Sequence, residues 1–393
     1  MNSERIDEFE SLRGLMALWV VIGHVLLSFQ APASLDGVVW RLLEANGKAV
    51  DVFIILSGFI IFYLLGHNPE HYSRYIARRF LRLFPAYAIC LLISIAMLPL
   101  TDAALHAMHP ATQRTLSRIA ILQAGSDQFW PHLLAHLTML HGLIPQIMLP
   151  MTDYVFLGQA WSISVEWQFY LLAPFVLWMC TLAKRWIGLV MLGIFCAAVF
   201  NARLRFGEGF IGAHIAYFAL GCCSYFFWQA DKDKLAKVAR HTGWLIAAAG
   251  LAGALLFPNQ GQAVIWIIVL LSCNSMRFST IRQPAQLISS LLLSPILRWL
   301  GRISYSAYLV HMIILNLMLW LLANAGLEPI PMLVATLTGT LIGTLIAADV
   351  LHRAVELPCI KFGRRLPERL FVVGTKSIKP AKSNSPPARH HRD

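Results

Sequence analysis

The sequence predicts an all-α polytopic membrane protein of about ten transmembrane helices with both termini cytoplasmic. Three observations carry this reading. Of 393 residues, 58% are hydrophobic and 13% charged, and the mean hydropathy is +0.62, outside the range of soluble globular chains. Apolar windows of span length recur near 12–30, 50–66, 84–100, 160–180, 186–201, 210–229, 242–258, 263–278, 304–323 and 331–351. Charge then sets the orientation. With the N-terminus cytoplasmic, the outer segments hold only Arg41, Lys48, Arg114, Arg118, Arg203 and Arg205, and the other 26 of 32 basic residues fall inside. This is a clear positive-inside bias. The net charge of +12 is thereby assigned to topology and anionic membrane lipid, and no nucleic-acid partner is implied.

The first span, Phe9 to Phe29, carries Arg13 at its start and His24 inside it. Eleven residues at about 100° each return to nearly the same helical face, and they separate the two groups by roughly 16 Å. An ionisable group inside an apolar span is costly, which makes it a functional-site candidate. Ala31-Pro32-Ala33 follows like a small-residue cleavage site, but the preceding region is net acidic and the core holds a histidine. The segment therefore reads as a retained span and not as a signal peptide. The seven cysteines, at 90, 180, 196, 222, 223, 273 and 359, lie within spans or on the inner side, so no exported disulfide is implied.

Span two, VDVFIILSGFIIFYLL, places Asp51 at its outer mouth. The inner loop after it reads HYSRYIARRFLRLFP, where Arg78, Arg79 and Arg82 fall at helical spacings of three and four and can face one target. Planar, paired guanidinium donors suit phosphate; a positive-inside lipid anchor is the competing reading.

Residues 101–156 form one long outer segment, expected to act as a lid or acceptor-binding cap. His132 and His136 have the i, i+4 spacing of zinc helices, but no Cys or partnering Glu is near, and no metal is expected. The apolar piece LLAHLTMLHGLIPQIML is read as partly re-entrant or lying in the membrane interface.

Span four opens with Trp161 and Ser162, and Glu166 follows five residues inside Trp161, roughly 7–8 Å below the outer surface. A carboxylate at that depth needs a partner. Gly207 to Gly212 matches G-x-G-x-x-G but follows no strand, so a dinucleotide reading fails. His214 is read as interfacial, and 285–298 as a short inner surface helix. Span nine holds Tyr305, Tyr308 and His311, the last ~10 Å above its inner end. Span ten closes with Asp349, His352, Arg353 and Glu356-Leu357-Pro358. Beyond Lys361 the chain is basic and rich in Pro and Ser, which reads as a disordered tail near headgroups.

The spacing of Arg13 and His24 resembles the R-x10-H signature of the acyltransferase type 3 family of integral-membrane O-acyltransferases. VDVFIILSGFII, RRFLRLFPAY, AWSISVEWQFYLLAP, LGRISYSAYLVH and VELP at 355–358 match that family's other motifs in order. The resemblance divides the chain into a membrane domain, 1–366, and a cytoplasmic tail, 367–393. It implies ten spans in a bacterial inner membrane and transfer of an acyl group, commonly acetyl from acetyl-CoA, to a sugar hydroxyl of an envelope or exported glycan or glycolipid. Some members carry an extra SGNH hydrolase-like domain; the short basic tail makes that domain an expected absence here.

The mechanism expected from these parts uses acyl-CoA as a donor substrate and no tightly bound cofactor. Arg13, Arg78, Arg79 and Arg82 would hold the donor phosphates, with Tyr305 and His311 along the donor channel. His24 would serve as general base, with Glu166 or Asp51 orienting the imidazole or the sugar and Trp161 and Ser162 on the acceptor side. Transient acylation of His24 is a variant, and His311 is the rival for the histidine role. A transporter or flippase for a lipid-linked saccharide is the competing class, although no pair of Gly/Pro-broken spans in matching halves supports it.

Overall fold

The computed structural model describes residues 6–29, 37–108, 112–182, 185–229, 260–273, 282–323 and 325–367, and these are all-helical. Along the chain run α1 (Asp7–Leu26), α2 (Val38–Glu44), α3 (Gly47–His67), α4 (Tyr72–Ala96), α5 (Leu98–Ala107), α6 (Gln113–Asp127) and α7 (Phe129–Leu137). There follow α8 (Trp161–Thr181), α9 (Arg185–Ala202), α10 (Ile215–Gln229), α11 (Gly261–Cys273), α12 (Arg282–Leu292), α13 (Pro295–Leu322), α14 (Pro329–Leu351) and α15 (Leu357–Arg365). A single π-helical turn, His352–Glu356, joins the last two.

Seven described helical segments are long and apolar enough to cross a membrane, which establishes a multi-pass protein. Of the remaining expected spans, α10 and α11 are shorter apolar helices, and the expected span 242–258 lies outside the described residues. Of the tail expected beyond Lys361, residues through Arg365 are helical and those from 368 on lie outside the described residues. Two expected boundaries are corrected. The arginine motif, assigned to an inner loop, is the first part of α4, continuous with the span that follows it. Arg298 and Arg302 likewise belong to α13 itself. In both places the basic residues sit at helical spacing and extend an apolar helix beyond its hydropathy window, where their long side chains keep charge at the end of the span.

The centre is set by α1 packed on α13. Their backbones touch at a pair of glycines: a Cβ on Gly301 would stand 2.1 Å from Glu10 O, and one on Gly14 would stand 2.7 Å from Gly301 N. Small residues permit this approach in membrane helices, where packing drives association in place of the hydrophobic effect. A second glycine contact, Gly58 with Gly221, seats α10 on α3. Around the first contact, Phe9, Phe59 and Trp266 form an aromatic knot with centroid separations of 5.0–5.7 Å, each such pair contributing about 0.5–1.5 kcal/mol beyond area burial. Trp266 Nε1 is satisfied by Ser224 Oγ at 2.9 Å. The crossing leaves one stripe of α1 and one of α13 looking into the same interior space.

Residues 101–156 carry helices of their own, α6 and α7 among them, followed by a 3-10 turn at His141–Leu143. His132, His136 and His141 are wholly buried. His136 Nε2 donates to Thr152 O at 3.0 Å, its Nδ1 meets Tyr87 OH at 3.0 Å, and its ring stacks on His141 at 4.1 Å. Burial pushes His136 well below the usual imidazole range and His141 down to about 3. Both are therefore neutral packing groups at pH 7. No cluster of three or more His, Cys, Asp or Glu is placed to hold a metal among the described residues.

Candidate functional site

Two cavities lie along the α1–α13 stripe, and Val50 and Tyr308 line both. The first, about 250 Å3, is framed by Arg13 of α1, Arg78, Arg79 and Arg82 of α4, Ser57 of α3, Ser162, Glu166 and Tyr170 of α8, and Tyr305 of α13. The second, about 430 Å3, is framed by His24, Asn46, Arg114 and Arg118 of α6, Tyr154, Trp161, Glu208 and Asn316. The helical offset between Arg13 and His24 thus spans the two chambers, one group in each.

On the arginine side the charges are largely matched. Arg78 Nη1 donates to both Glu70 oxygens at 2.8 and 2.9 Å, Arg13 lies 3.6 Å from Glu10, and Arg82 lies 3.7 Å from Glu356. Glu356 is buried and also accepts from Ser306 Oγ at 2.8 Å and His352 Nδ1 at 2.9 Å. Arg79 differs: its guanidinium lies over the Tyr170 ring at 5.8 Å, its Nε has no hydrogen-bond partner, and no carboxylate among the described residues comes within ion-pair distance. It is the arginine of this cluster left with capacity for an incoming anion.

Glu166 belongs to this chamber. It accepts from Ser57 Oγ at 3.2 Å and from Tyr170 OH, so the sequence-based placement beside His24 is corrected. The reason is helical phase, because Trp161 and Ser162 at the start of α8 open to different chambers and Glu166 shares the face of Ser162. Asp51 lines neither cavity; its carboxylate sits 3.8 Å from His214 Nδ1. The pairing of either carboxylate with the His24 imidazole is not formed.

On the histidine side two imidazoles face each other, His24 and His311, with ring centroids 5.1 Å apart. Their hydrogen bonds fix opposite tautomers when neutral. His311 Nδ1 donates to Tyr308 O at 2.7 Å, which leaves a lone pair on Nε2, buried and without a partner. His24 Nδ1 is 3.0 Å from Arg114 Nη2; a guanidinium only donates, so Nδ1 accepts and Nε2 carries the hydrogen. His24 lines the cavity, whereas His311 is wholly buried behind it. The partition between chambers is tied down by Tyr308, whose hydroxyl lies 2.7 Å from Ser162 Oγ and donates to Gln159 O at 3.0 Å. Tyr305 spends its hydroxyl on Leu83 O at 2.7 Å, holding α13 to α4. Trp161 stacks on His214 at 5.2 Å.

Sequence reasoning missed Arg114, Arg118 and Asn316, having counted the two arginines only as exceptions to the charge bias. Their i, i+4 spacing, which puts them on one face of a helix, and an asparagine inside an apolar span were the available signals. Glu356 was noticed as part of VELP but given no task.

This architecture can bring a long molecule with an anionic end to one chamber and a hydroxyl compound to the other, meeting at Tyr308 and the histidine pair. The family model described as an acyltransferase domain matches residues 6–349. Among curated proteins, the chain is 24% identical to the putative peptidoglycan O-acetyltransferase YrhL of Bacillus subtilis (strain 168), over 85% of this chain and 54% of that protein. It is 23% identical to the peptidoglycan O-acetyltransferase OatA of Listeria monocytogenes serovar 1/2a, over 79% of this chain and 50% of that protein. The chain spans about half the length of these relatives. No solved structure matches. With a family model matched over most of its length and Arg13 and His24 of its first motif lining two adjoining chambers, the chain belongs to the acyltransferase type 3 family.

Proposed function

We propose that this protein is a membrane O-acyltransferase that moves an acetyl group from cytoplasmic acetyl-CoA to a sugar hydroxyl of an envelope glycan. The observation that carries the reading is the pair of chambers sharing Val50 and Tyr308, with arginines framing one and His24 the other. The positive-inside bias puts the arginine chamber on the cytoplasmic side, where the coenzyme is. Arg79 and Arg13 engage its phosphates through paired, charge-assisted donors. The roughly 16 Å from Arg13 to His24 is the distance the acyl-bearing arm covers.

In the outer chamber His24 is the general base, being the imidazole that lines the cavity. The acceptor hydroxyl loses its proton to His24 as its oxygen attacks the thioester carbonyl. The carbon–sulfur bond breaks, the proton passes to the leaving thiolate, and the products are an O-acetyl sugar and the free coenzyme thiol. The basic lone pair of His24 is on Nδ1, where Arg114 now sits, so a reacting hydroxyl must displace that guanidinium. Glu166 acts on the donor side, holding Ser57 and Tyr170 at the chamber wall. The names of the relatives make a peptidoglycan strand the first acceptor to try.

The test is transfer of radiolabelled acetate from acetyl-CoA to extracted glycan by the purified full chain, with His24→Ala as control. Label on the glycan that depends on His24 is the expected result. Glycan crossing a vesicle membrane without gaining label would establish the transport reading instead.

A further inference from the structure

Arg114 and Arg118 stand one turn apart on α6, both lining the outer chamber. Neither has a carboxylate within 4 Å among the described residues, whereas Arg13, Arg78 and Arg82 each have one. Their partners are neutral: Arg118 donates to the side-chain oxygen of Asn316, and Arg114 to the His24 imidazole. Asn316 is itself held by Thr101 Oγ1 at 3.3 Å, so the amide oxygen is aimed at Arg118 by a fixed scaffold. Glu208 lines the same chamber and Glu44 and Tyr154 act on Arg114 from a distance, but none forms an ion pair with it. Burial and the neighbouring Arg114 charge push the Arg118 guanidinium down to about 10. Both side chains are part-buried, two like charges side by side are held at a cost without a counter-ion, and the guanidinium fork matches carboxylate and phosphate oxygens.

We propose that Arg114 and Arg118 form a binding site for one anionic group, a carboxylate or a phosphate, borne by the acceptor that enters the outer chamber. The word acceptor rests on the transfer reading above; the anion site itself does not. The same contact supplies the missing step at His24. An anion seated between the two guanidiniums competes with His24 Nδ1 for Arg114 and releases the lone pair as the acceptor arrives. A chamber without its anionic occupant keeps the base capped, which protects the thioester from water.

The experiment is equilibrium binding by calorimetry to the full chain in lipid nanodiscs, with three sugars as probes. These are N-acetylglucosamine, N-acetylmuramic acid, which adds a carboxylate, and N-acetylglucosamine 1-phosphate. One of the charged sugars should bind at least tenfold tighter than the neutral one. A preference for the acid assigns the group to the glycan, and a preference for the phosphate assigns it to a carrier linkage. Arg118→Gln should abolish the preference and Arg118→Lys should retain part of it, with acetyl-CoA affinity unchanged in both. Equal affinity for the three sugars, absence of binding, or a preference that survives Arg118→Gln in a folded protein overturns the site. Should Arg118→Gln fail to fold, the three-sugar comparison on the unaltered chain and Arg114→Gln decide. A chain that prefers the charged sugar and transfers no label keeps the anion site and removes the transferase reading.

Discussion

The two chambers handle positive charge in opposite ways. On the arginine side, Arg13, Arg78 and Arg82 are matched by Glu10, Glu70 and Glu356, and of these four motif arginines Arg79 alone has no carboxylate at ion-pair distance among the described residues. On the histidine side, Arg114 and Arg118 rest on an imidazole and an amide, and no carboxylate among the described residues, Glu208 in the same chamber included, pairs with either. A surface that already owns its counter-ions binds by exchange, one partner at a time. A surface that lacks them is poised for the ligand alone. Counting arginines would rank the first chamber as the stronger anion site, and the ion pairs reverse much of that ranking.

The largest effect that would sharpen this contrast is expected from His24→Ala. Acetyl transfer should fall by about 10²–10⁴-fold, the usual worth of a general base, while the protein remains inserted and acetyl-CoA still binds; near-full activity removes His24 from the chemistry. Next comes the open arginine of the arginine chamber. Arg79→Gln should raise the KM for acetyl-CoA by roughly tenfold, one lost charge-assisted contact, and should do so more than Arg78→Gln, whose guanidinium is already held by Glu70. A larger effect from Arg78 breaks the distinction between matched and open positions.

Gly301→Val tests what holds both chambers in register. Its side chain would meet the α1 backbone at Glu10, so a lower Tm and reduced folded yield in detergent are expected. An unchanged melting curve would mean the α1–α13 approach is not tight. The smallest effect concerns the outer segment. Burial raises the Asp153 carboxyl to about 6, above its ordinary value near 3.8. A group raised on folding contributes stability fully below its unfolded value and loses it as pH rises through the folded one, so that contribution fades between about pH 4 and 6. Asp153→Asn should flatten the pH dependence of Tm across that window; identical profiles would exclude Asp153 as its source.

Much of this molecule was legible in the sequence because membrane burial writes itself in composition. The apolar windows located the long helices, and the R-x10-H spacing put Arg13 and His24 on one stripe without any coordinates. Phase at helix ends was not legible. Glu166 was placed by depth alone, and depth cannot tell which of two chambers a side chain enters. Nor could the sequence say which charges cancel: Arg82 and Glu356 are 274 positions apart and meet only when α4, α13 and the π-turn come together. Arg114 was discounted by a rule about averages, and its partner on α1 is 90 residues away.

The bare backbone contact of Gly14 with Gly301 bears on how the protein cycles. Two helices whose backbones touch at one level, and whose His24 and His311 rings face each other at another, resist sliding because close-packed contacts leave no slack between them.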